Sequence, residues 1–246
     1  MPREEQIERA VGRKQMSIGM PHDYRDGEKR IALTPEAVKI LPDAGHEGFL
    51  ERGAGTEAGF ADVDYSNNGA GVSDMPDTVF GCDVVIKIAP FTQQEASRLR
   101  GGQTVISFMN AATLGEDTLS VMMRKRVTAL ASEIIKDSDG MLPVMESMSE
   151  ISGITSVLLA SEYLSTTSGG KGVMLGGVTG VTPSEVIIIG ANTAGEYAAR
   201  AALGLGAIVK VFDTSVHRLR NFQNLLGQRL YTSTFHPQVL QKALKS

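Results

Sequence analysis

The chain has 246 residues, 42% apolar and 21% charged, with 27 Gly, 9 Pro and one Cys, a composition that excludes disordered, collagenous and disulfide-stapled proteins and fits two globular domains. Twenty-four Lys and Arg against 28 Asp and Glu leave a net charge of −4; this offers no footprint for a polyanionic backbone, so nucleic acid is not an expected partner. No apolar run approaches the roughly 18 residues of a membrane span, the charged opening segment reads as neither a secretory signal nor a transit peptide, and the lone Cys82 fits a reducing, cytoplasmic setting.

After a charged leader expected to be helical, Met16–Met20 reads as a strand, followed by a polar loop, Pro21–Lys29. Thr34-Pro35-Glu36 has the chemistry of a helix start, a capping hydroxyl, a proline at the first helical position and an acid at the positive dipole end, and predicts a helix through Leu41. Phe49–Glu51 is a predicted strand and Asp62–Asn68 a predicted short helix. The β-branched runs Val84–Ile86 and Thr104–Phe108 flank a helix at Gln93–Leu99 and read as parallel, doubly buried strands. A helix at Leu119–Lys125 and a strand at Thr128–Ala131 continue the alternation, which places Lys87, Asn110 and Glu133 near the carboxyl ends of their strands, where open α/β sheets bind ligands.

Ser147-Met-Ser-Glu150 has capping-box spacing and predicts the start of a long helix, Met148–Leu164, apolar on most sides and expected to lie buried between two domains. Six glycines from Gly169 to Gly180 follow, without the spacing of a Walker A loop. The expected organisation is a leader over 1–15, an N-terminal α/β substrate domain over 16–147, an interdomain helix over 148–168 and an incomplete Rossmann domain over 169–246.

The strongest signal lies between Glu185 and Asp213. A β-branched strand leads into Gly190-Ala-Asn192-Thr193-Ala194-Gly195, an Ala-rich helix, a Gly206 turn and a second strand ending in an acid. This spacing matches the dinucleotide fingerprint: Gly190 for the tight turn, Gly195 for close helix–strand packing, and Asp213 at 23 positions beyond Gly190 for a ribose. The helix N-terminus at Thr193–Gly195 supplies amides and a positive dipole end for a diphosphate. Asn192 departs from the pattern, because the middle position is normally glycine; its tolerance of left-handed angles predicts weakened binding. The carboxylate of Asp213 favours NAD over NADP. Helices from Ser215 and Pro237 and a strand at Leu230–Phe235 complete half a Rossmann sheet.

Taken with Ile18-Gly-Met-Pro21, Glu28-Lys-Arg30-Ile-Ala-Leu-Thr-Pro35, Gly53-Ala-Gly55, Asp83-Val-Val-Ile-Lys87, Met148-Ser-Glu-Ile-Ser-Gly153 and Gly176-Gly-Val-Thr-Gly-Val181, the chain resembles the alanine dehydrogenase and pyridine nucleotide transhydrogenase alpha-subunit family along nearly its whole length. The resemblance implies that Arg30 and Lys87 hold the carboxylate and carbonyl of a pyruvate-like substrate, that Ser149 contacts the cofactor, and that an NAD-dependent conversion of L-alanine to pyruvate takes place in a homo-oligomer. At the position of the family's catalytic His this sequence has Asn110, which cannot exchange a proton near neutral pH. The family also continues beyond the point where this sequence stops, so a truncated chain of doubtful activity is expected. The alternatives are a transhydrogenase nucleotide-binding subunit and a non-catalytic NAD-binding module.

Overall fold

A computed structural model describes residues 15–25, 27–110 and 114–244; the expected leader helix lies outside these. The chain divides into two compact units, 1–135 and 136–246, and each is described by itself.

In the first unit, the described elements are β1 (Ser17–Met20), α1 (Pro35–Val38), α2 (Ile40–Asp43), β2 (Glu47–Glu51), α3 (Asp62–Asn67), β3 (Ala70–Ser73), α4 (Pro76–Phe80), β4 (Val84–Ile86), α5 (Gln93–Arg98), β5 (Thr104–Ser107), α6 (Glu116–Arg124) and β6 (Thr128–Ala131). The six strands form one parallel sheet in the order β3-β2-β1-β4-β5-β6. Apolar clusters around Met20, Leu50 and Tyr65 and around Phe80, Val85 and Val105 make the core. The order reverses between β1 and β4, and the loops leaving those strands frame a crevice.

Local chemistry explains most of the element bounds. Thr34 Oγ1 accepts a hydrogen bond from Ala37 N at 3.3 Å and caps α1 as expected. The predicted single helix through Leu41 is instead two short ones, divided at Lys39; Pro42 has no N–H to donate back to Val38, so the ladder cannot run through. Thr92 and Glu95 form a reciprocal capping box at the start of α5.

The second unit contains α7 (Pro143–Leu164), β7 (Glu185–Ile189), α8 (Thr193–Gly204), β8 (Ile208–Asp213), α9 (Val216–Leu226), β9 (Tyr231–Thr234) and α10 (Pro237–Ala243). Its sheet is parallel, in the order β7-β8-β9, with a core of Val209, Val211, Leu219, Phe222 and the buried alanines of α8. Both sheets bear out the α/β reading of the sequence.

The long helix departs from its sequence reading in two respects. It starts at Pro143, with Leu142 as N-cap, so Ser147 and Glu150 lie inside it and form no capping box; Glu150 instead accepts a hydrogen bond from Tyr197 of α8. The whole helix belongs to the second unit, and only Gly153 and Val157 are buried. Val157 is buried as expected, while Ile151, Ile154, Leu158 and Tyr163 are exposed. The buried contact is very close: a Cβ on Gly153 would stand 2.2 Å from Ala194 O and 2.9 Å from Ala198 N, so only glycine lets α7 rest on the first turn of α8.

Candidate functional site

Above the switch point of the first sheet lies a cavity of about 460 Å³. Its described lining comes from the loop after β1 (Arg25, Gly27, Glu28, Arg30), the residues after β4 (Ile88, Ala89, Pro90) and those after β5 (Phe108, Asn110). The fold thus brings Arg30 and Asn110 to one place. Glu28 holds Arg30 through two parallel hydrogen bonds, Nε to Oε1 at 2.7 Å and Nη2 to Oε2 at 2.6 Å, the fork-to-fork geometry of a carboxylate on guanidinium. This hydrogen bonding lowers the Glu28 pKa and raises that of Arg30.

Asn110 has a left-handed backbone, φ +37°. Its N–H and that of Met109 both donate to the Glu133 carboxylate, at 2.8 and 3.0 Å. Glu133, which the strand pattern places at a carboxyl end, thus holds the turn that presents Asn110 to the cavity.

Lys87 does not join them. Its side chain is 1% exposed, and its ammonium lies 2.5 Å from Glu95 Oε1 and 3.3 Å from Asp23 Oδ1, with the Phe91 ring centroid 5.4 Å away. A buried cation between two carboxylates is already committed, and withdrawing it would leave unpaired charge in the interior. Lys87, which the resemblance assigns to a substrate carbonyl, is thus not in the cavity lining; its ammonium is held by Glu95 and Asp23, and the wall from this strand end is made by Ile88, Ala89 and Pro90. Asp23 links the two roles, since it also accepts from Ala89 N at 2.9 Å and Arg25 N at 3.3 Å, and so ties the arginine-bearing loop to the sheet. Glu51 steadies the same loop by accepting from His22 N at 3.0 Å and from the Tyr24 hydroxyl. Sequence reading missed Asp23, Glu51 and Glu95, although Thr92-x-x-Glu95 is a visible capping signature.

In the second unit the β7-turn-α8 segment has the shape its spacing predicts. Gly190 adopts φ +115° and a Cβ on Gly195 would stand 2.1 Å from Gly190 O, so both positions require glycine. Asn192 is extended, at φ −111° and ψ −177°, and its Oδ1 accepts from Gly195 N at 2.9 Å. Tolerance of left-handed angles is thus not what places asparagine here; it is the helix N-cap. It occupies one amide assigned to a diphosphate, while Glu196 N turns back to Asn192 O, leaving the N–H groups of Thr193 and Ala194 for a ligand. Thr193 and Ser149 line a common cavity of about 300 Å³ with Met141 and Glu146.

Asp213 ends β8 and is 3% exposed. It accepts from Ala191 N at 2.8 Å and Ser215 N at 2.7 Å, with Arg218 Nε 3.3 Å away. Burial pushes its pKa up, but the two amides and then Arg218 outweigh burial and hold it below the usual value. The acid braces the glycine turn from within; a ribose diol would have to share oxygens that are already in use. With Gly190 and Gly195 in the required conformations and two helix amides open, the residues present fit a dinucleotide, with fewer donors than an all-glycine turn provides.

Each unit carries a parallel sheet, one with a polar cavity at its switch point and the other opening with a glycine turn onto a helix N-terminus, the strand-turn-helix arrangement of dinucleotide-binding α/β folds. Family descriptions sharpen this: residues 19–152 match "Alanine dehydrogenase/PNT, N-terminal domain" and residues 156–246 match "Alanine dehydrogenase/PNT, C-terminal domain". The chain belongs to the alanine dehydrogenase/PNT family. It is 35% identical over 231 residues to an alanine dehydrogenase of Mycolicibacterium smegmatis and 34% identical to one of Methanococcus maripaludis, covering 94% of this chain and 62% of each relative. A solved L-alanine dehydrogenase superposes with a TM-score of 0.85 at 35% identity, covering 93% of this chain and 63% of that one. A transhydrogenase from Sinorhizobium meliloti shares the fold, with a TM-score of 0.78 at 23% identity. The chain thus spans a little under two-thirds of the relatives' length. Among the described residues no helix is long and apolar enough to cross a membrane.

Proposed function

We propose that this chain is an L-alanine dehydrogenase-like oxidoreductase that binds NAD at the β7-turn-α8 segment and a pyruvate-class carboxylate at the Arg30 cavity, in the cytoplasm and as a homo-oligomer. The observation that carries the reading is the glycine turn itself, with Gly190 at positive φ, Gly195 in contact with it and Asp213 bracing Ala191. A bound nicotinamide dinucleotide would supply the hydride chemistry. Thr193 and Ala194 N–H would hold its diphosphate, Ser149 would stand beside it, and Asp213 would meet the ribose through lone pairs not spent on amides.

In the first unit, Arg30 orients the carboxylate-binding loop and Asn110 offers a neutral amide to a carbonyl or amino group. Neither Asn110 nor the buried Lys87 can take up and return a proton at that position. The expected outcome is nucleotide binding with little turnover. Titration of NADH fluorescence tests the first half, and NADH production from L-alanine the second; brisk turnover would show that proton transfer does not need a titratable group where Asn110 stands, and failure to bind NADH or ADP-ribose would remove the nucleotide assignment. Asn110 also favours a second reading, hydride exchange between two nucleotides, which needs no substrate proton acceptor. Reduction of an NAD analogue by NADPH after addition of membrane transhydrogenase subunits would support that reading.

A further inference from the structure

At the carboxyl end of α9 the second unit has an open cavity of about 470 Å³, lined by Arg220, Gln223, Asn224, Gly227, Gln228 and Arg229. Two guanidiniums and three carboxamides thus share one hollow with no acid in its described lining. The other arginines of this unit are spent, Arg200 on Glu196 and Arg218 on Asp213. Arg220 and Arg229 are exposed, and among the described residues neither guanidinium has an ion pair or a hydrogen bond. Two like charges in one hollow repel each other, and a dianion bound between them removes that repulsion. The carbonyls that end α9 would oppose an anion, but they are occupied: Gln223 O and Asn224 O accept from Gly227 N at 3.1 and 3.2 Å, and Leu225 O accepts from Arg200 Nη2 at 2.7 Å. Gln223 Nε2 donates to Thr232 Oγ1 at 3.3 Å, which pins one carboxamide to β9 and leaves its oxygen unspent.

This cavity stands away from the glycine turn. β9 starts at Tyr231, opposite Lys210, while Asp213 closes β8, so the residues just before Tyr231 lie at the amino end of the sheet, roughly 10 Å of strand from that acid; the Gly190 turn leaves β7 at its carboxyl end. We propose that the Arg220–Arg229 cavity binds a phosphoryl dianion carried on a small hydroxylated body, in chemical class a sugar phosphate. The phosphate oxygens take the planar forks of Arg220 and Arg229. Hydroxyls of the carrier pair with Gln223, Asn224 and Gln228, whose carboxamides both donate and accept. A volume of about 470 Å³ exceeds what a phosphoryl group alone fills and lies in the range of small-molecule sites. An apolar carrier finds no wall there, because no aliphatic or aromatic residue is in the described lining.

The test is calorimetric titration of the full chain at low ionic strength with glucose 6-phosphate, inorganic phosphate and glucose, with and without NADH, repeated on Arg220→Gln, Arg229→Gln and the double variant. Glucose 6-phosphate should bind about tenfold tighter than inorganic phosphate, the gain from one or two hydroxyl hydrogen bonds, and glucose should not bind measurably. NADH should leave these affinities unchanged. Each single substitution should weaken glucose 6-phosphate about tenfold, the loss of a charge-assisted hydrogen bond, and the double variant should abolish binding. The thermal midpoint should stay in place, since neither guanidinium has a partner among the described residues. Undiminished binding in the double variant, or displacement by NADH, overturns the assignment to this cavity; the double variant decides it whether or not NADH binds. Inorganic phosphate equalling glucose 6-phosphate overturns the hydroxylated carrier, and glucose equalling its phosphate overturns phosphoryl recognition. If neither phosphate binds, the site itself falls.

Discussion

The cavity of the first unit and the glycine turn of the second solve the same problem by different means. Each carries a group that the sequence assigns to a ligand, and in each that group is already satisfied by its own chain: Arg30 by the Glu28 carboxylate, Gly195 N–H by the Asn192 amide oxygen. The first is a charge-assisted pair, raised in strength by being bidentate; the second is a single neutral hydrogen bond. A phosphate oxygen, itself charged, can displace a neutral cap, whereas a substrate carboxylate competing with Glu28 gains nothing by replacing like with like. The neutral cap is therefore the weaker of the two internal contacts.

The comparison breaks first at the buried triad under the cavity. Replacing Lys87 by Met leaves Asp23 and Glu95 without their cation, and urea unfolding should show a loss of about 3–5 kcal/mol; a loss below about 1 kcal/mol would mean that the ammonium is dispensable and open to another role. Next is Gly153→Ala, whose methyl meets Ala194 O. It should cost about 1–3 kcal/mol by overpacking and weaken NADH binding, because the displaced backbone is the one proposed to meet the diphosphate.

Asp213 gives a pH signature. Its pKa is depressed in the folded state, so its contribution is present in full above the ordinary Asp value of about 4 and is lost as pH falls through the depressed value. Unfolding midpoints measured from pH 7 to pH 3 should fall for the wild type. Asp213→Asn should start lower by about 1–3 kcal/mol, the cost of a mismatched buried amide, and lose that part of the slope. The smallest effect on stability is that of Asn192→Gly, a few tenths of a kcal/mol for the cap, yet this substitution should tighten NADH severalfold by releasing Gly195 N–H. Unaltered affinity would place the diphosphate away from this turn.

What could be read from the sequence was local. The strand-turn-helix-strand segment from Glu185 to Asp213 declares itself through glycine spacing and β-branched runs, and Thr34 caps its helix as its side chain predicts, while Ser215, read as the first helical residue, stands one place earlier as the cap. The edge strand β3 is not legible because Ala70-Gly-Val-Ser73 carries too little β-branched bulk, and α4 is legible only through Pro76 in its first turn, a weak signal beside the neighbouring strand runs. Ser147-Met-Ser-Glu150 imitated a helix start although Pro143 stood ready at the true one. The commitments of Lys87 and Asp213 could not be read at all. A strand-end lysine looks the same in sequence whether it faces solvent or two carboxylates brought from other loops, and an acid at the end of β8 looks the same whether its oxygens wait for a sugar or clasp the chain's own amides.

The bare contact of Gly153 with the opening turn of α8 makes the 22-residue helix α7 a tiller. With no side chain to cushion the joint, α7 and the first turn of α8 meet backbone to backbone, so any roll of the shaft must be taken up by the peptide groups at Ala194.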